Sequence, residues 1–448
     1  MLSFGFQPRV IDLFHIFSAK IAIAFHIFSG YTQFMDIFIQ RDSIKEIINH
    51  LKSKEITVLV GPRQAGKTTI MINIKERLDK QGVKTLLLNI DRDDHRVYFN
   101  TQTDLVNYLS LYFGKEKGYL FIDEIQRLDN AGLFLKGIYD RNLPYKLIVS
   151  GSGSLELKEK IHESLAGRKR VFEIPTITFF EFINFKTDYK FVNKIHDFFL
   201  YDKTLPETLL QEYLYFGGYP KVILAETIEE KKKTIQDIYQ SYVEKDVQNL
   251  IHIKKTDSFI HLVTLLSSQI GQLVNITEIS RLLNIDRETV KLYLWYLEKT
   301  FIINRINPYF SNIRKELTKM PIYYFNDIGL RNYIRNQFTV APQINDGFLF
   351  QNFVYQLLKI SSQYKDSRLH FWRTKDGGEV NFIALQGSTP TPIEIKYSSL
   401  SKIELNQSMI NFITTYKPLR LYLINLQLNS SLTKHNCTIK AIPYYFFI

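Results

Sequence analysis

Apolar and polar residues change rhythm several times along the chain. Ile56-Thr57-Val58-Leu59-Val60 is an unbroken β-branched run, which predicts a strand buried on both faces. Residues 69–78 return to helical spacing. Runs at 84–91, 118–124, 145–152 and 170–174 predict further strands, separated by helical segments near 102–113, 130–141 and 154–165. Such alternation predicts an α/β class: a parallel sheet with helices on both faces.

Past residue 175 the pattern differs. Thr178–Phe185 and Pro206–Tyr215 predict helices around a tyrosine- and lysine-rich connection, and Glu229–Lys255 predicts a charged amphipathic stretch. Residues 276–284 form a short helical run and a tight turn. Asp286 can then cap a helix in which Val290, Leu294 and Leu297 fall at i, i+4 and i+7. Strand-like runs follow at 301–309 and 321–326, with Arg314, Lys315 and Lys319 between them. Two helices, a short turn and a strand pair predict a winged helix. The remaining pattern predicts strands at 378–384 and 392–398 around a turn through 387–391, a helix near 400–416 and a strand near 419–426.

The first 34 residues stand apart. Val10–Ser29 is apolar, but Asp12, His15, Lys20 and His26 interrupt it, whereas a membrane span needs about 20 mostly apolar residues. No basic segment with a small-residue cleavage site is present. The preferred expectation is a dispensable extension and no membrane; a peripheral amphipathic anchor is the alternative. The 448 residues suffice for two to four domains, and 45% hydrophobic with 23% charged residues is ordinary for a folded protein. A net charge of +12 favours a polyanionic partner, with a bland basic surface as the other explanation. One cysteine, Cys437, excludes an internal disulfide and suits a reducing, cytoplasmic compartment. The 27 tyrosines, with many Ile, Lys and Asn, are read as the mark of an AT-rich genome rather than of function.

Chemistry enters between the first strand and the first helix. Gly61-Pro62-Arg63-Gln64-Ala65-Gly66-Lys67-Thr68 is a full G-x-x-x-x-G-K-[ST] phosphate loop, with Thr69 opening the helix. Tyr119-Leu120-Phe121-Ile122 then delivers Asp123 and Glu124 to a strand tip, the form of a Walker B element. Lys67 is expected to offset β- and γ-phosphate charge, Thr68 and Asp123 to hold Mg²⁺, and Glu124 to orient and deprotonate the attacking water. Ser150 and Ser152 end the following strand, either as γ-phosphate sensors or as part of a plain turn. No guanine-reading Asn/Thr-Lys-x-Asp segment is suitably placed, which leaves ATP as the expected nucleotide.

Residues 60–69, Phe121-Ile122-Asp123-Glu124-Ile125-Gln126, Ser150-Gly151-Ser152 and Ser164-Leu165-Ala166-Gly167-Arg168 together resemble the AAA-type ATPases of bacteria and archaea. The resemblance runs from about Met35 to the C-terminus. It implies a Walker B strand separated from the phosphate-loop strand by another strand, and a homo-oligomer. It further implies Arg168 as a phosphate-contacting or intersubunit arginine, where an ordinary basic residue is the alternative. Tyr215-Phe216-Gly217-Gly218-Tyr219-Pro220 matches a structural turn of the same family.

At the C-terminal end, strand alternation puts Glu379 with Asn381 and Glu394 with Lys396. Acids on adjacent strands with a lysine resemble the PD-(D/E)xK nuclease fold. That resemblance implies metal-binding acids where this chain has Asn381 and, on the preceding helix, Gln351. An amide is a much poorer partner for a divalent cation than a carboxylate, so weak or absent cleavage is expected. The expected organisation is therefore an extension at 1–34, a P-loop ATPase domain at 35–185, a helical connector at 186–257, a winged helix at 258–340 and a restriction-endonuclease-like domain at 341–448. Arg287 and Lys291 face outward in this scheme, either as DNA contacts or as part of a protein-docking surface. The expected function is a Mg²⁺-dependent ATPase whose nucleotide state controls the C-terminal domains on DNA. The alternative is a nucleotide-gated DNA-binding or protein-docking regulator with little turnover.

Overall fold

The computed structural model describes residues 38–152, 164–202, 204–242, 256–310, 316, 319–338, 346–364, 366–387 and 389–447. The extension at 1–34, most of the expected helix at 154–165, the end of the stretch at 229–255, and Arg314 and Lys315 lie outside these residues.

Five parallel strands form the first sheet: β1 Ile56–Gly61, β2 Lys84–Asn89, β3 Gly118–Asp123, β4 Tyr145–Ser152 and β5 Lys169–Glu173, in the order β2-β3-β4-β1-β5. The Walker B strand β3 and the phosphate-loop strand β1 thus flank β4. Every residue of β1 is buried, which is why its sequence reads as an unbroken apolar run. Val58, Val60, Leu120, Ile122 and Val149 pack on one face with Leu105 and Leu109 of a helix at Gln102–Phe113 and Leu135 and Ile138 of a helix at Ala131–Asp140. Leu59, Phe121 and Ile148 point the other way and are also fully buried, on the side where the helix Lys67–Asp79 contributes Ile70, Met71 and Ile74. Parallel register brings Gly61, Asn89, Asp123 and Ser152 to one edge of the sheet.

Helices follow at Phe179–Lys186, Ile195–Tyr201, Thr204–Phe216, Pro220–Leu224 and Ile228–Ser241, and then at Thr256–Ser268, Ile276–Leu283 and Arg287–Lys299. The strands β6 Ile303–Pro308 and β7 Ile322–Phe325 pair antiparallel after them, and Leu273 bridges to Ile322. β6 also pairs in parallel with β8 Arg368–Arg373, through Asn307 opposite His370. The strand pair expected as a wing is therefore built into an eight-stranded mixed sheet, and the sheet crosses the expected boundary at residue 340. Its order is β12-β13-β11-β10-β9-β8-β6-β7, with β9 Glu379–Gln386, β10 Thr389–Ile395, β11 Arg420–Asn425, β12 Ser430–Lys434 and β13 Cys437–Pro443. The helix expected near 400–416 begins at Gln407, where Asn406 accepts the Met409 N–H as its cap.

The aromatic residues hold these parts together. Phe179, after the first sheet, meets Phe353 of the helix Gly347–Ile360 edge-on at 5.0 Å and Tyr213 of Thr204–Phe216 at 5.2 Å, and Tyr444 near the chain end joins them. Phe199 stacks on Tyr445 at 4.4 Å. Rings of this size carry much of a core's buried area. The reading of the tyrosines as a mark of genome composition thus misses their packing role. Among the described residues no helix is long and apolar enough to cross a membrane.

Candidate functional site

The loop after β1 turns through Gln64 at φ 59° and Gly66 at φ 92°, and Gly66 is the N-cap of the helix Lys67–Asp79. Its backbone amides and the helix N-terminus therefore meet at the C-terminal edge of the sheet, an arrangement that favours an anion. At Gly61 a Cβ would stand 2.1 Å from the Ile174 carbonyl oxygen, so the loop enters its turn at a spacing no side chain allows. The Lys67 ammonium is buried and donates to the loop carbonyls of Gly61 at 3.0 Å and Pro62 at 2.7 Å. Pro62 and Ala65 are buried, Arg63 and Thr68 half-buried, and Gln64 and Thr69 exposed.

Asp123 is 2% exposed, and its carboxylate gathers four donors. The Thr68 hydroxyl donates to Oδ2 at 2.8 Å and the Asn89 amide to the same oxygen at 3.3 Å. The Glu124 N–H donates to Oδ1 at 3.1 Å, and the Ser150 hydroxyl also donates there. Thr68 and Asp123 are thus adjacent, as a shared divalent cation requires. Ser150 is fully buried, and its hydroxyl braces Asp123. Ser152 stands beside Gly61 in the β1–β4 register, and its side chain lies outside the described residues.

Glu124 sits at φ 58° and ψ 41°, a left-handed conformation that costs about 1–3 kcal/mol in a residue with a side chain. Burial first, and then the Asp123 charge, pushes its carboxyl above the ordinary range, against the pull of Gln126 and Lys67. The Gln126 amide donates to the Glu124 carboxylate. Sequence reading missed Asn89 and Gln126. Asn89 is visible only through the β2–β3 register, while Gln126 lay in plain sight two residues past Glu124.

Arg168 lies at the opposite end of the sheet. Its carbonyl accepts the Ile56 N–H, one β1 length from the loop, or about 17–20 Å. Its guanidinium pairs with Asp140 at 2.8 Å, so it does not reach the phosphate loop of its own chain. A cavity of about 420 Å³ lined by Lys75, Asp79, Lys84 and Tyr112 also adjoins this N-terminal edge, away from the loop.

The second set of expected site residues is brought together less completely. Glu394 on β10 is 4% exposed; Lys396, just past the strand, donates to its Oε1 at 2.9 Å. Its Oε2 is buried without a hydrogen bond of normal geometry. Burial pushes the Glu394 carboxyl up, against Lys396 and the Asn381 N–H. The Asn381 amide oxygen accepts the Ile395 N–H at 2.8 Å, and Glu379 pairs with Arg373 at 2.8 Å. Gln351 is buried, with its side-chain oxygen against Gly271. Among the described residues no group of three or more His, Cys, Asp or Glu is placed to hold a metal ion. Arg287 and Lys291 are both exposed on the helix Arg287–Lys299, with Lys291 paired to Glu288 at 2.7 Å.

Residues 53–183 match a family model described as an AAA domain. Residues 207–340 and 346–447 match two models described as domains of unknown function. An uncharacterised protein of Methanocaldococcus jannaschii is 26% identical over 397 residues, covering 87% of this chain and 84% of that protein. One of Haemophilus influenzae is 24% identical over 386 residues, covering 84% of this chain and 90% of that protein. Among solved structures, the Aeropyrum pernix ORC1 protein in complex with DNA aligns over 67% of this chain and 93% of its own, at 13% identity and a TM-score of 0.30. With its five parallel strands and intact phosphate loop, the segment 53–183 is an AAA-like P-loop domain, and a mixed-sheet C-terminal region follows it.

Proposed function

We propose that the chain binds ATP with Mg²⁺ at Gly61–Thr69 and hydrolyses it, and that the bound state governs the C-terminal region. The adjacency of the Thr68 hydroxyl and the Asp123 carboxylate, at 2.8 Å beneath a phosphate loop, carries this reading. Lys67 leaves the carbonyls of Gly61 and Pro62 to offset charge on the β- and γ-phosphates. Thr68 and Asp123 hold the cation, which when bound supplies further charge neutralisation on the phosphates. Glu124, its proton affinity raised by burial, orients a water and takes its proton as the water oxygen attacks the γ-phosphorus. The bond from that phosphorus to the bridging oxygen breaks, and ADP and phosphate leave. Steady-state phosphate release tests this; no release above background with ATP and Mg²⁺ would refute turnover.

The bond from Gln126 to Glu124 favours a second reading, a slow nucleotide-gated switch. While the amide holds the carboxylate, the base is less available to a water. Release rates with and without DNA separate the two readings.

The three helices from Thr256 to Lys299 and the β6–β7 pair are read as a winged helix, with Arg287 and Lys291 as DNA backbone contacts. The Lys291–Glu288 pair makes this face mixed rather than purely basic. A gel shift that weakens steeply with salt supports DNA, because phosphate contacts release counterions; a salt-indifferent outcome points to protein docking. The region from Gln351 to Lys396 is read as nuclease-like without cleavage. Arg168 is read as an intersubunit arginine in a homo-oligomer, because it lies far from its own loop.

A further inference from the structure

Arg41 precedes Asp42, the N-cap of the helix Ser43–His50, and its side chain is 3% exposed. Its guanidinium points three ways at once. Nε donates to Glu181 at 3.1 Å, Nη1 to the Ala65 carbonyl at 2.9 Å, and Nη2 to the Pro175 carbonyl at 2.6 Å. Glu181 is equally buried and fully used. It accepts the Asp42 N–H at 2.8 Å and, as the partner in a capping box, the Thr178 N–H at 2.9 Å.

The contact to Ala65 falls on the phosphate loop itself, between the two left-handed positions Gln64 and Gly66. In a trans peptide the C=O and N–H point in opposite directions. A guanidinium that pins the Ala65 carbonyl from behind therefore turns the Gly66 N–H the other way, into the loop. Arg41 Nη1 and Pro220 Cγ each lie 3.7 Å from where a Gly66 Cβ would stand, so the loop rests on both. The same arginine touches Pro175, and the neighbouring Thr176 hydroxyl bonds to Asp327, which leads into the C-terminal region.

We propose that Arg41 is a positioning residue for the phosphate loop: by holding the Ala65 carbonyl it sets which way the Gly66 amide faces a nucleotide's phosphates. This rests on the reading of Gly61–Thr69 as an ATP site. A lysine keeps the charge beside Glu181 but lacks the planar fork that spans Glu181, Ala65 and Pro175 together.

The test is calorimetric titration of the full chain with ATP and Mg²⁺, run beside phosphate release and thermal melting for the unaltered, Arg41→Lys and Glu181→Gln chains. Arg41→Lys is expected to bind ATP on the order of 10-fold more weakly, the scale of one charge-assisted bond, with KM rising more than kcat falls. Glu181→Gln, which leaves the Arg41–Ala65 contact in place, is expected to lower the melting temperature while keeping ATP affinity within about 2-fold. Equal ATP affinity in a folded Arg41→Lys chain overturns the inference alone. So does a parallel loss of affinity in both variants, since that would mark the ion pair as a fold-holder. Should Arg41→Lys fail to fold, Arg41→Gln takes its place, and misfolding of both counts against positioning. No uptake by the unaltered chain overturns the ATP site first and this inference with it.

Discussion

Two buried carboxylates in this molecule meet opposite fates. Asp123 and Glu394 are 2% and 4% exposed, and both belong to clusters read from the sequence as acid sites. Asp123 receives donors from Thr68, Asn89, Ser150 and the Glu124 N–H, so its charge is supported from several sides. Glu394 has Lys396 on one oxygen, while its other oxygen is buried without a normal hydrogen bond. Around it, Asn381 and Gln351 stand where the nuclease resemblance calls for acids, and the Asn381 amide is spent on the Ile395 N–H. Burial alone does not make a site. A buried carboxylate needs donors around both oxygens before it can be held ready for a cation.

Glu124→Gln should have the largest effect on this contrast. It removes the base beside Asp123, so phosphate release should fall on the order of 100- to 10,000-fold while ATP binding persists. Normal turnover in that variant would take Glu124 out of the mechanism. In the unaltered chain, the acid limb of kcat/KM should lie above the ordinary glutamate value of 4.5, because burial raises the pKa of Glu124. A limb at or below that value would mean the base is elsewhere.

Next comes Asp327, a third buried acid. It accepts the Gly218 N–H at 2.8 Å and the Leu330 N–H at 2.9 Å, yet burial pushes it up to about 6 from 3.8. Because its folded pKa is raised, its contribution to stability is full below 3.8 and is lost as pH rises through about 6. Asp327→Ala leaves the buried N–H groups of Gly218 and Leu330 unpaired and should cost about 2–6 kcal/mol in denaturant unfolding, at roughly 1–3 kcal/mol for each group. Asp327→Asn should flatten the pH dependence across that window, and an unchanged slope would assign it to another group.

On supercoiled DNA with Mg²⁺, the unaltered chain should nick no faster than Lys396→Ala. Robust cutting lost on Lys396→Ala would break the comparison by making the second cluster a working site. The smallest effect belongs to Glu394→Gln. Its raised folded pKa means stability is lost as pH climbs above 4.5, so the neutral variant should melt about 1–2 °C higher at pH 8 and no higher near pH 4.5. An equal or lower melting temperature at pH 8 would show that the Lys396 pair outweighs burial.

The first sheet was legible because β1 to β4 each carry a continuous apolar run and the loop is a contiguous motif. Thr68 and Asp123 were legible as partners for the same reason. Partners supplied by register or by distant chain were not. Asn89 reaches Asp123 only because β2 lies beside β3, and Arg41 reaches Ala65 from outside the motif. Ser150 was legible as a strand-end serine, either a sensor or part of a turn, whereas the bond from its hydroxyl to Asp123 was not. The pairing of β6 with β8 across the expected boundary at residue 340 was not legible, because it joins residues more than sixty apart, which no local pattern records. The aromatic junction of Phe179, Tyr213, Phe353 and Tyr444 was hidden for the same reason: composition counts rings without saying where they meet.

The central claim is that the loop at Gly61–Thr68, with Lys67, Thr68 and Asp123, takes up a nucleoside triphosphate. Calorimetric titration of the purified chain with ATP and Mg²⁺ tests it most directly. The expected result is saturable uptake at one site, weakened by on the order of 100-fold or more in Lys67→Ala, which loses a charged donor worth about 3 kcal/mol. No uptake of any nucleoside triphosphate by the unaltered chain, or equal uptake by Lys67→Ala, would contradict it.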